Sequence, residues 1–305
     1  MQNKPLVSII SVNYDQPQVT CGMLESLRNL SYKNIEILIV DNGSPKHDPE
    51  IIKESYPEIK LIKSSKNLGF AGGNNLAIIE AKGKYLFFLN NDTEVTNGCI
   101  EPLVNLFETN SSAGIVSPKI LFFDSDSIIQ YAGSTEINPW TGRNKGIGSM
   151  EKDYGQFNTS YETDLAHGAA MMVPKAIIDE VGLMPEIYFL YYEELDWCEM
   201  IKRKGYTCHY MGESSIYHKE SISVGKASLL KTYYINRNRL LFIRRNFFGF
   251  QKWSSYLVFL LLAIPKRSLT HAIKGEWKHC IALWKGVFWN FKSPYKLPSV
   301  GVSSC

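Results

Sequence analysis

The first ninety residues alternate short apolar runs with segments of helical periodicity, and this alternation constrains the fold more than any other feature. Apolar runs cover residues 6–14, 35–41, 59–62 and 85–89, and helical patterns at residues 18–30, 49–56 and 71–81 separate them. Alternating β and α elements predict a mostly parallel sheet with flanking helices, an α/β fold of the Rossmann-like class. Ligands of such sheets bind beyond the carboxyl ends of the strands. Site residues are therefore expected directly after each apolar run.

The charge of the chain changes sharply near residue 225. Residues 225–305 carry 14 Lys and Arg against one acid, and the remaining residues carry 19 against 29, although the whole chain has a net charge of only +3. We expect one domain over residues 1–225 and a basic, aromatic-rich helical segment over residues 226–305. Such a segment suggests an anionic neighbour, either phospholipid headgroups, a polyprenyl phosphate or nucleic acid. No nucleic-acid-binding motif supports the last option.

The cysteines and the first residues indicate a compartment. Six cysteines are scattered without a CxxC pair or the spacing of a zinc site, which favours free thiols in a reducing environment. The opening residues MQNKPLVSII lack the basic leader and apolar stretch of a signal peptide. We therefore expect a cytoplasmic protein.

Polar residues follow three of the apolar runs. Asn13 ends the first run, and Asp41 ends the second, where its carboxylate is placed to accept from a base N–H or a ribose hydroxyl. An ordinary Asp-Asn-Gly turn explains Asp41 equally well. Asn90 and Asp92 follow the run at residues 85–89 and point to the same side, because side chains two apart share a face. Their oxygens suit Mg²⁺ or Mn²⁺ bridging a diphosphate; the alternative is a solvated turn.

The segment NLGFAGGNN at residues 67–75 places small residues at a predicted helix start. Glycines such as Gly69 and Gly73 permit close backbone approach, and N-terminal helix amides favour phosphate. The segment is neither a Walker loop nor a GxGxxG fingerprint. A glycine-rich helix cap is the alternative interpretation.

The segment FLYYEELDWC at residues 189–198 packs three carboxylates among aromatic residues. Neighbouring acids with apolar walls raise a pKa, which suits a general base that deprotonates a hydroxyl. The alternative is an acidic first turn favoured by the helix dipole. His218 ends a further apolar run and is placed to supply an imidazole to a metal ion, although a lone histidine is more often structural.

In this order, the motifs resemble glycosyltransferase family 2, especially the bacterial branch that contains rhamnosyltransferases. The matching pieces are VSIISVNY, VDNGS, NLGFAGGNN, FLNNDT, HGAAMMVP, FLYYEELDWC and IYHKES, within residues 5–245. The resemblance implies a GT-A fold with a catalytic domain over residues 1–225. Its nucleotide-binding half would cover about residues 1–110, and its acceptor-side half about residues 111–225.

The resemblance also implies roles for individual residues. Glu194 falls where the family places its catalytic base, but Glu193 and Asp196 stay open because this chain has Glu where Asp is commoner. Asn90 stands where many relatives have the first Asp of the metal motif. The remaining assignments are nucleotide-sugar binding by Asn13, Asp41, Asn67, Gly69, Gly73, Asn74 and Asn90, metal binding by Asp92 and His218, and an acceptor side formed by His167, Tyr192 and Trp197.

The expected activity is transfer of a sugar, with inversion, from a dTDP- or UDP-sugar to a hydroxyl of a glycan or polyprenyl-linked acceptor in cell-surface polysaccharide synthesis. Rhamnose is suggested by the resemblance alone. A non-catalytic glycan-binding or scaffold protein is the alternative. A nucleotide-sugar pyrophosphorylase is disfavoured, because residues 13–17 are not a basic glycine-rich loop.

The C-terminal segment suggests contact with a membrane surface. The apolar stretch at residues 253–264 is short for a membrane span, and we expect Pro265 to end its helix. Further on, Trp277, Ile281, Trp284, Phe288 and Phe291 follow helical spacing, with lysines every seven residues on another face. This pattern is typical of a helix in a membrane interface. We expect peripheral attachment to the inner face of the cytoplasmic membrane; packing on the catalytic domain is the alternative.

Overall fold

A computed structural model describes residues 4–219 and 228–292. The chain divides into two compact units, of which the first comprises Met1–Ile137 and Asn144–Gly225. The second comprises Asn138–Arg143 and Lys226–Cys305. The short insertion of residues 138–143 into the second unit has no signal in the sequence.

The first unit is built on one large sheet. Its strands are β1 Val7–Asn13, β2 Ile35–Asp41, β3 Lys60–Lys63, β4 Tyr85–Leu89, β5 Thr93–Val95, β6 Ala113–Phe122, β7 Ile129–Tyr131, β8 Tyr161–Thr163, β9 Ala170–Pro174 and β10 Thr207–His218. The strand order is β3-β2-β1-β4-β9-β6-β10-β5, with β7 beside β6 and β8 beside β10. β4 is buried along its whole length, as a central strand covered on both faces should be.

The sheet contains both parallel and antiparallel strand pairs. Strands β1 to β4 pair in parallel, as the alternation of elements predicts. Beyond β4, however, β9 pairs antiparallel with both β4 and β6, and β5 pairs antiparallel with β10. The α/β class with flanking helices is confirmed. β10 pairs in parallel with β6, so parallel pairing recurs in the second half of the sheet, where the short strands β5 and β7 to β9 add antiparallel pairs.

Six helices surround this sheet: α1 Pro17–Leu27, α2 Glu50–Ser55, α3 Gly69–Glu80, α4 Ile100–Thr109, α5 Lys175–Val181 and α6 Glu193–Arg203. A 3-10 turn, Glu186–Tyr188, precedes α6. Apolar residues of α1, α4 and the strands form the main core, which includes Met23, Phe87, Leu103 and Tyr210. The core fixes the carboxyl ends of β1, β2 and β4 at one edge.

The second unit is helical in its described part. It contains α7 Leu229–Asn246, α8 Gly249–Leu257, a π-helical turn Val258–Ala263, α9 Ile264–Ile273 and α10 Trp277–Lys292. The expected stop at Pro265 is wrong, because the helix runs through it. Pro265 lies in the first turn of α9, directly after the π-helical turn. Proline lacks an N–H and crowds the carbonyl one turn earlier, and a wider π turn is a known way to accommodate that strain within a helix.

This continuous helix is longer than the apolar stretch of residues 253–264 from which the sequence prediction was made. Gly249–Ile273 comprises 25 residues, and its most apolar window has a mean hydropathy of 1.3. Among the described residues it is the one helix long and apolar enough to cross a membrane. Only 17% of that window is buried within the protein.

Candidate active site

Asn13 and Asp41 form the centre of a buried polar cluster at the carboxyl ends of β1 and β2. The parallel register pairs the two residues directly, and Asn13 Nδ2 donates to Asp41 Oδ1 over 2.8 Å. Ser44 donates its backbone N–H to the other carboxylate oxygen, and Thr20 donates its hydroxyl to Asn13 Oδ1. The cluster fixes the Asp41 carboxylate at the sheet edge where nucleotides bind in open α/β folds.

Asp92 and His218 meet in the structure although they are 126 residues apart in the chain. His218 ends β10, which pairs antiparallel with β5 and so carries the histidine to the position beside Asp92. His218 Nε2 lies 3.1 Å from Asp92 Oδ1, and both residues are buried. On the other side of the ring, Nδ1 lies 2.8 Å from Gln130 Oε1. Each ring nitrogen of His218 therefore lies within hydrogen-bond distance of a side-chain oxygen, and its donor or acceptor role depends on the tautomer.

This pair has the chemistry of a divalent-cation site. An imidazole nitrogen and a carboxylate oxygen at this distance share either a proton, as in a hydrogen bond, or a cation. Two ligands about 2.1 Å from Mg²⁺ and at right angles lie about 3.0 Å apart, and the observed distance is 3.1 Å. No cluster of three or more His, Cys, Asp or Glu suited to a metal occurs among the described residues. Two protein ligands suit an ion such as Mg²⁺, which commonly takes further ligands from water and substrate phosphates, and metal binding by this pair stays a prediction.

Glu194 lies in the first turn of α6, directly after a loop with unusual backbone geometry. Phe189, Tyr191 and Tyr192 have positive φ angles of 64°, 69° and 79°, a region that is costly for residues other than glycine. Glu194 is half-buried, and burial raises the pKa of its carboxyl to about 7. Of the three acids, Glu194 is the most accessible, because Glu193 is 3% exposed and Asp196 is fully buried.

His167 and Gly168 lie between Glu194 and the Asp92–His218 pair. The His167 ring is 6.3 Å from the His218 ring, centroid to centroid, and a Cβ added to Gly168 would lie 3.5 Å from the Glu194 carboxyl carbon. Burial, and then the charge of His218, lower the pKa of His167 to about 3. The Asp92–His218 pair and the accessible acid therefore border the same short segment.

The glycine-rich start of α3 approaches protein backbone closely. Gly69 has a φ of +76°, and a Cβ there would lie 2.2 Å from the carbonyl oxygen of Phe189. Phe70 donates its backbone N–H to that same oxygen over 2.7 Å. The N–H of Leu68 donates to Asn42 Oδ1, and the N–H of Gly69 donates to Asn67 Oδ1. These first amides thus have acceptors within the protein, and phosphate binding by this segment stays a prediction.

Residues 8–182 match the sequence profile of Glycosyl transferase family 2. The chain belongs to this family. It is 28% identical over 206 residues to a low-salt glycan biosynthesis hexosyltransferase of Haloferax volcanii, covering 65% of this chain and 62% of that protein. It thus spans less than two thirds of that relative's length. It is also 22% identical to the N-acetylglucosaminyl-diphospho-decaprenol L-rhamnosyltransferase of Mycobacterium tuberculosis, covering 72% of this chain and 78% of the relative.

Solved structures of glycosyltransferases share the fold of this family 2 chain. A mannosyltransferase from Pyrobaculum calidifontis, determined with GDP-Man and Mn²⁺, superposes with a TM-score of 0.58 at 14% identity. The superposition covers 96% of this chain and 83% of the mannosyltransferase. The GT-A fold expected from the resemblance is confirmed at this level.

The acceptor-side assignment of Trp197 in this family 2 chain is wrong. Its side chain is fully buried, donates Nε1–H to the carbonyl of Gly182 over 3.0 Å and packs edge-on against Phe88. Trp197 is four residues after Glu193, so the two share the buried face of α6. Tyr192 is half-buried at the start of that helix, and its acceptor role stays a prediction.

Other polar residues of the family 2 site went unrecognised in the sequence. Thr20 and Gln130 orient Asn13 and His218, and Asn91 Nδ2 donates to Thr20 Oγ1 over 3.2 Å. Asn75 contacts residues more than one hundred positions further along the chain. Their types are common in loops and turns, so only the pairing of distant strands identifies them.

Proposed function

We propose that this chain is an inverting glycosyltransferase that moves a sugar from a dTDP- or UDP-linked donor to a hydroxyl of a glycan or polyprenyl-linked acceptor. The observation that carries the proposal is the position of Glu194, a half-buried acid whose pKa is raised to about 7 and which borders the same segment as Asp92 and His218. Family 2 membership supports the reaction class. The mycobacterial relative's printed name, which includes rhamnose and a decaprenol-linked acceptor, supports that donor and acceptor class here.

The residues divide the work of the reaction between two ends of the site. Asn13 and Asp41 bind the nucleoside, with the Asp41 carboxylate accepting from a base N–H or ribose hydroxyl; Gly73, Asn74 and Asn90 are proposed to line the same donor pocket. Asp92 and His218 would hold Mg²⁺ or Mn²⁺, which neutralises charge on the diphosphate. Within the glycine-rich segment, the backbone of Gly73 lies close to β1, because a Cβ added there would be 2.9 Å from a methyl group of Val12.

The proposed chemical step is a single displacement. Glu194 takes the proton of the acceptor hydroxyl, and the acceptor oxygen forms a bond to the anomeric carbon. The bond from that carbon to the diphosphate oxygen breaks on the opposite face, and the nucleoside diphosphate leaves with the electron pair. A carboxyl whose pKa is near 7 is a strong enough base for this step and is still substantially ionised at neutral pH.

We also propose that the reaction takes place at the inner face of the cytoplasmic membrane, where a polyprenyl-linked acceptor is embedded. The excess of Lys and Arg after residue 225 supports this location.

Nucleotide binding tests the proposal first. Thermal unfolding of the full chain is measured with UDP, dTDP and GDP, each with and without Mn²⁺, because a ligand that binds the folded state raises its apparent stability. We expect a Mn²⁺-dependent rise with UDP or dTDP that Asp92→Ala abolishes and that the matched control Asp126→Ala, at an exposed site, retains. A chain that responds to no nucleotide would favour the scaffold alternative.

A further inference from the structure

Helix α10 carries two separate apolar faces. Leu283 and Val287 pack into the core of the helical unit. Five other large apolar side chains are each more than a third exposed: Trp277, Ile281, Trp284, Phe288 and Phe291. At 3.6 residues per turn these five fall within a face about 80° wide, whose centre lies about 100° around the axis from the centre of Leu283 and Val287. The fold of this unit therefore uses only one of the two faces.

The helix Gly249–Ile273 repeats this arrangement. Phe259, Ala263 and Ile264 are buried and pack in the same core as Leu283 and Val287. The exposed apolar residues of this helix are Phe250, Trp253, Leu257, Leu261, Leu262, Leu269 and Ile273. At about 200 Å² per ring, the exposed aromatic residues of the two helices alone present roughly 700 Å².

Basic side chains accompany these apolar residues. Described residues 228–292 contain twelve Lys and Arg against one acid, Glu276. Lys278, Lys285 and Lys292 are exposed and lie along one edge of the exposed apolar face of α10, about 60–100° from its centre. Long lysine side chains at such an edge reach headgroup phosphates while their stems stay against acyl chains.

We propose that the exposed faces of α10 and of the helix Gly249–Ile273 form a lipid-binding surface that lies flat in the headgroup region of an anionic phospholipid bilayer. The proposal rests on the membrane location proposed above and names the surface responsible for it, but it does not depend on sugar transfer. The apolar side chains enter the acyl boundary, and the lysines pair with anionic headgroups. Binding strength then depends on both buried apolar area and anionic lipid.

A flat orientation fits the structure better than a membrane span. Gly249–Ile273 is about 37 Å long at 1.5 Å per residue, which is enough to cross a bilayer. Crossing would either strip Phe259 and Ile264 from the core they share with α10 or carry α10 into the hydrocarbon. The second course would bury three lysines, and each lysine at the bilayer centre costs about 2.5–3.5 kcal/mol on insertion scales.

The charges also disfavour a second copy of this chain as the occupant. Two such surfaces facing each other would bring lysines of both copies together without acids to pair with, because residues 228–292 contain a single glutamate. Like charges across an interface oppose association. An anionic bilayer removes this repulsion.

Vesicle flotation of the full chain tests the proposal. We expect the protein to float with vesicles of phosphatidylcholine mixed with phosphatidylglycerol and to float much less with phosphatidylcholine alone. The double variant Trp284→Glu/Phe288→Glu should reduce binding roughly tenfold or more, because each side chain loses its apolar transfer energy. The double variant Lys278→Glu/Lys285→Glu should remove the preference for phosphatidylglycerol. Ile79→Glu, at a position 68% exposed on α3, is the matched control and should bind as wild type.

Each alternative has a distinct outcome. Absence of flotation with anionic vesicles, or equal binding by the Trp284→Glu/Phe288→Glu and Ile79→Glu variants, would overturn the proposal. A dimer in light scattering that the Trp284→Glu/Phe288→Glu variant converts to a monomer, without vesicle binding by the wild type, would assign the surface to a second copy. Retention of the protein on vesicles after alkaline carbonate washing would indicate a span instead. Circular dichroism of each variant confirms that its helices are intact.

Discussion

Asn75 holds the backbone of Met184 with both ends of its side-chain amide. Asn75 Nδ2 donates to the carbonyl of Met184 over 2.9 Å, and Met184 N–H donates back to Asn75 Oδ1 over 3.1 Å. The same Nδ2 also donates to Glu186 Oε1. Asn75 thereby anchors the loop that leads through Tyr191 and Tyr192 into Glu194, so helix α3 contributes to the position of the proposed base.

Replacing Asn75 should therefore lower catalysis more than donor binding. In Asn75→Ala the Met184 backbone groups lose their partners, which costs about 1–3 kcal/mol for each buried group left unsatisfied. We expect kcat to fall by roughly tenfold or more, while the nucleotide Kd changes little because Asn13 and Asp41 are untouched. Steady-state kinetics and nucleotide titration separate the two effects. Equal losses in kcat and in nucleotide affinity would instead indicate general unfolding.

Position 69 requires glycine for two reasons: a Cβ has no space there, and the backbone φ angle is positive. Gly69→Ala should destabilise the protein by more than the about 1–2 kcal/mol that a left-handed alanine costs, because its Cβ would lie 2.2 Å from the Phe189 carbonyl oxygen. Gly98→Ala is the matched control, since Gly98 has a φ of +79° but open space around it. Urea unfolding of both variants measures the difference. If Gly69→Ala were no less stable than Gly98→Ala, the loop at Phe189 would have to move aside without loss of stability.

The Gln130 amide should tune the proposed metal site through His218. Gln130→Met removes the hydrogen-bond partner of His218 Nδ1, so the ring orientation is no longer fixed from that side. Loss of such an outer partner typically weakens metal affinity about 10–100-fold. Mn²⁺ titration in the presence of the bound nucleotide measures this change, and Gln156→Met, on a surface loop, should leave it unaltered. Unchanged Mn²⁺ affinity in Gln130→Met would contradict the assignment of His218 as a metal ligand.

The raised pKa of Glu194 predicts opposite effects of pH on activity and stability. Sugar transfer should increase as pH rises through about 7, because the base acts in its ionised form. The folded-state pKa lies above the ordinary value of 4.5, so ionisation favours the unfolded chain, and stability is lost as pH rises from about 4.5 to 7. Glu194→Gln should then be inactive but more stable than wild type at pH 8, by on the order of 2 kcal/mol. Urea unfolding at pH 5 and pH 8 checks the sign; a variant less stable at pH 8 would contradict it.

The parts of the site that the sequence predicts are those set by strand ends. Asn13 and Asp41 follow neighbouring apolar runs, and parallel strands of equal register must place them side by side. Asp92 is predicted for the same reason, since it follows β4. Local pattern was sufficient here because β1 to β4 keep the regular alternation of strand and helix.

The contacts that the sequence did not predict depend on antiparallel strands and on distant loops. Gln130 reaches His218 only because β7 and β10 both pair with β6, and no periodicity encodes that order. Trp197 was misassigned because aromatic residues near acids suit either a site or a core, and only the buried face of α6 decides between them. Pro265 was misread because a local rule for proline does not anticipate a compensating π turn.

Donor turnover is the most direct test of Glu194 as the catalytic base. Purified full chain is incubated with dTDP-rhamnose and with UDP-sugars, with and without Mn²⁺, and release of the nucleoside diphosphate is followed for wild type, Glu194→Gln and the control Glu199→Gln, which lies on the same helix. We predict Mn²⁺-dependent release by wild type and by Glu199→Gln, and a loss of about 100-fold or more in Glu194→Gln. Release at the same rate by all three proteins would contradict the assignment of Glu194 as the base.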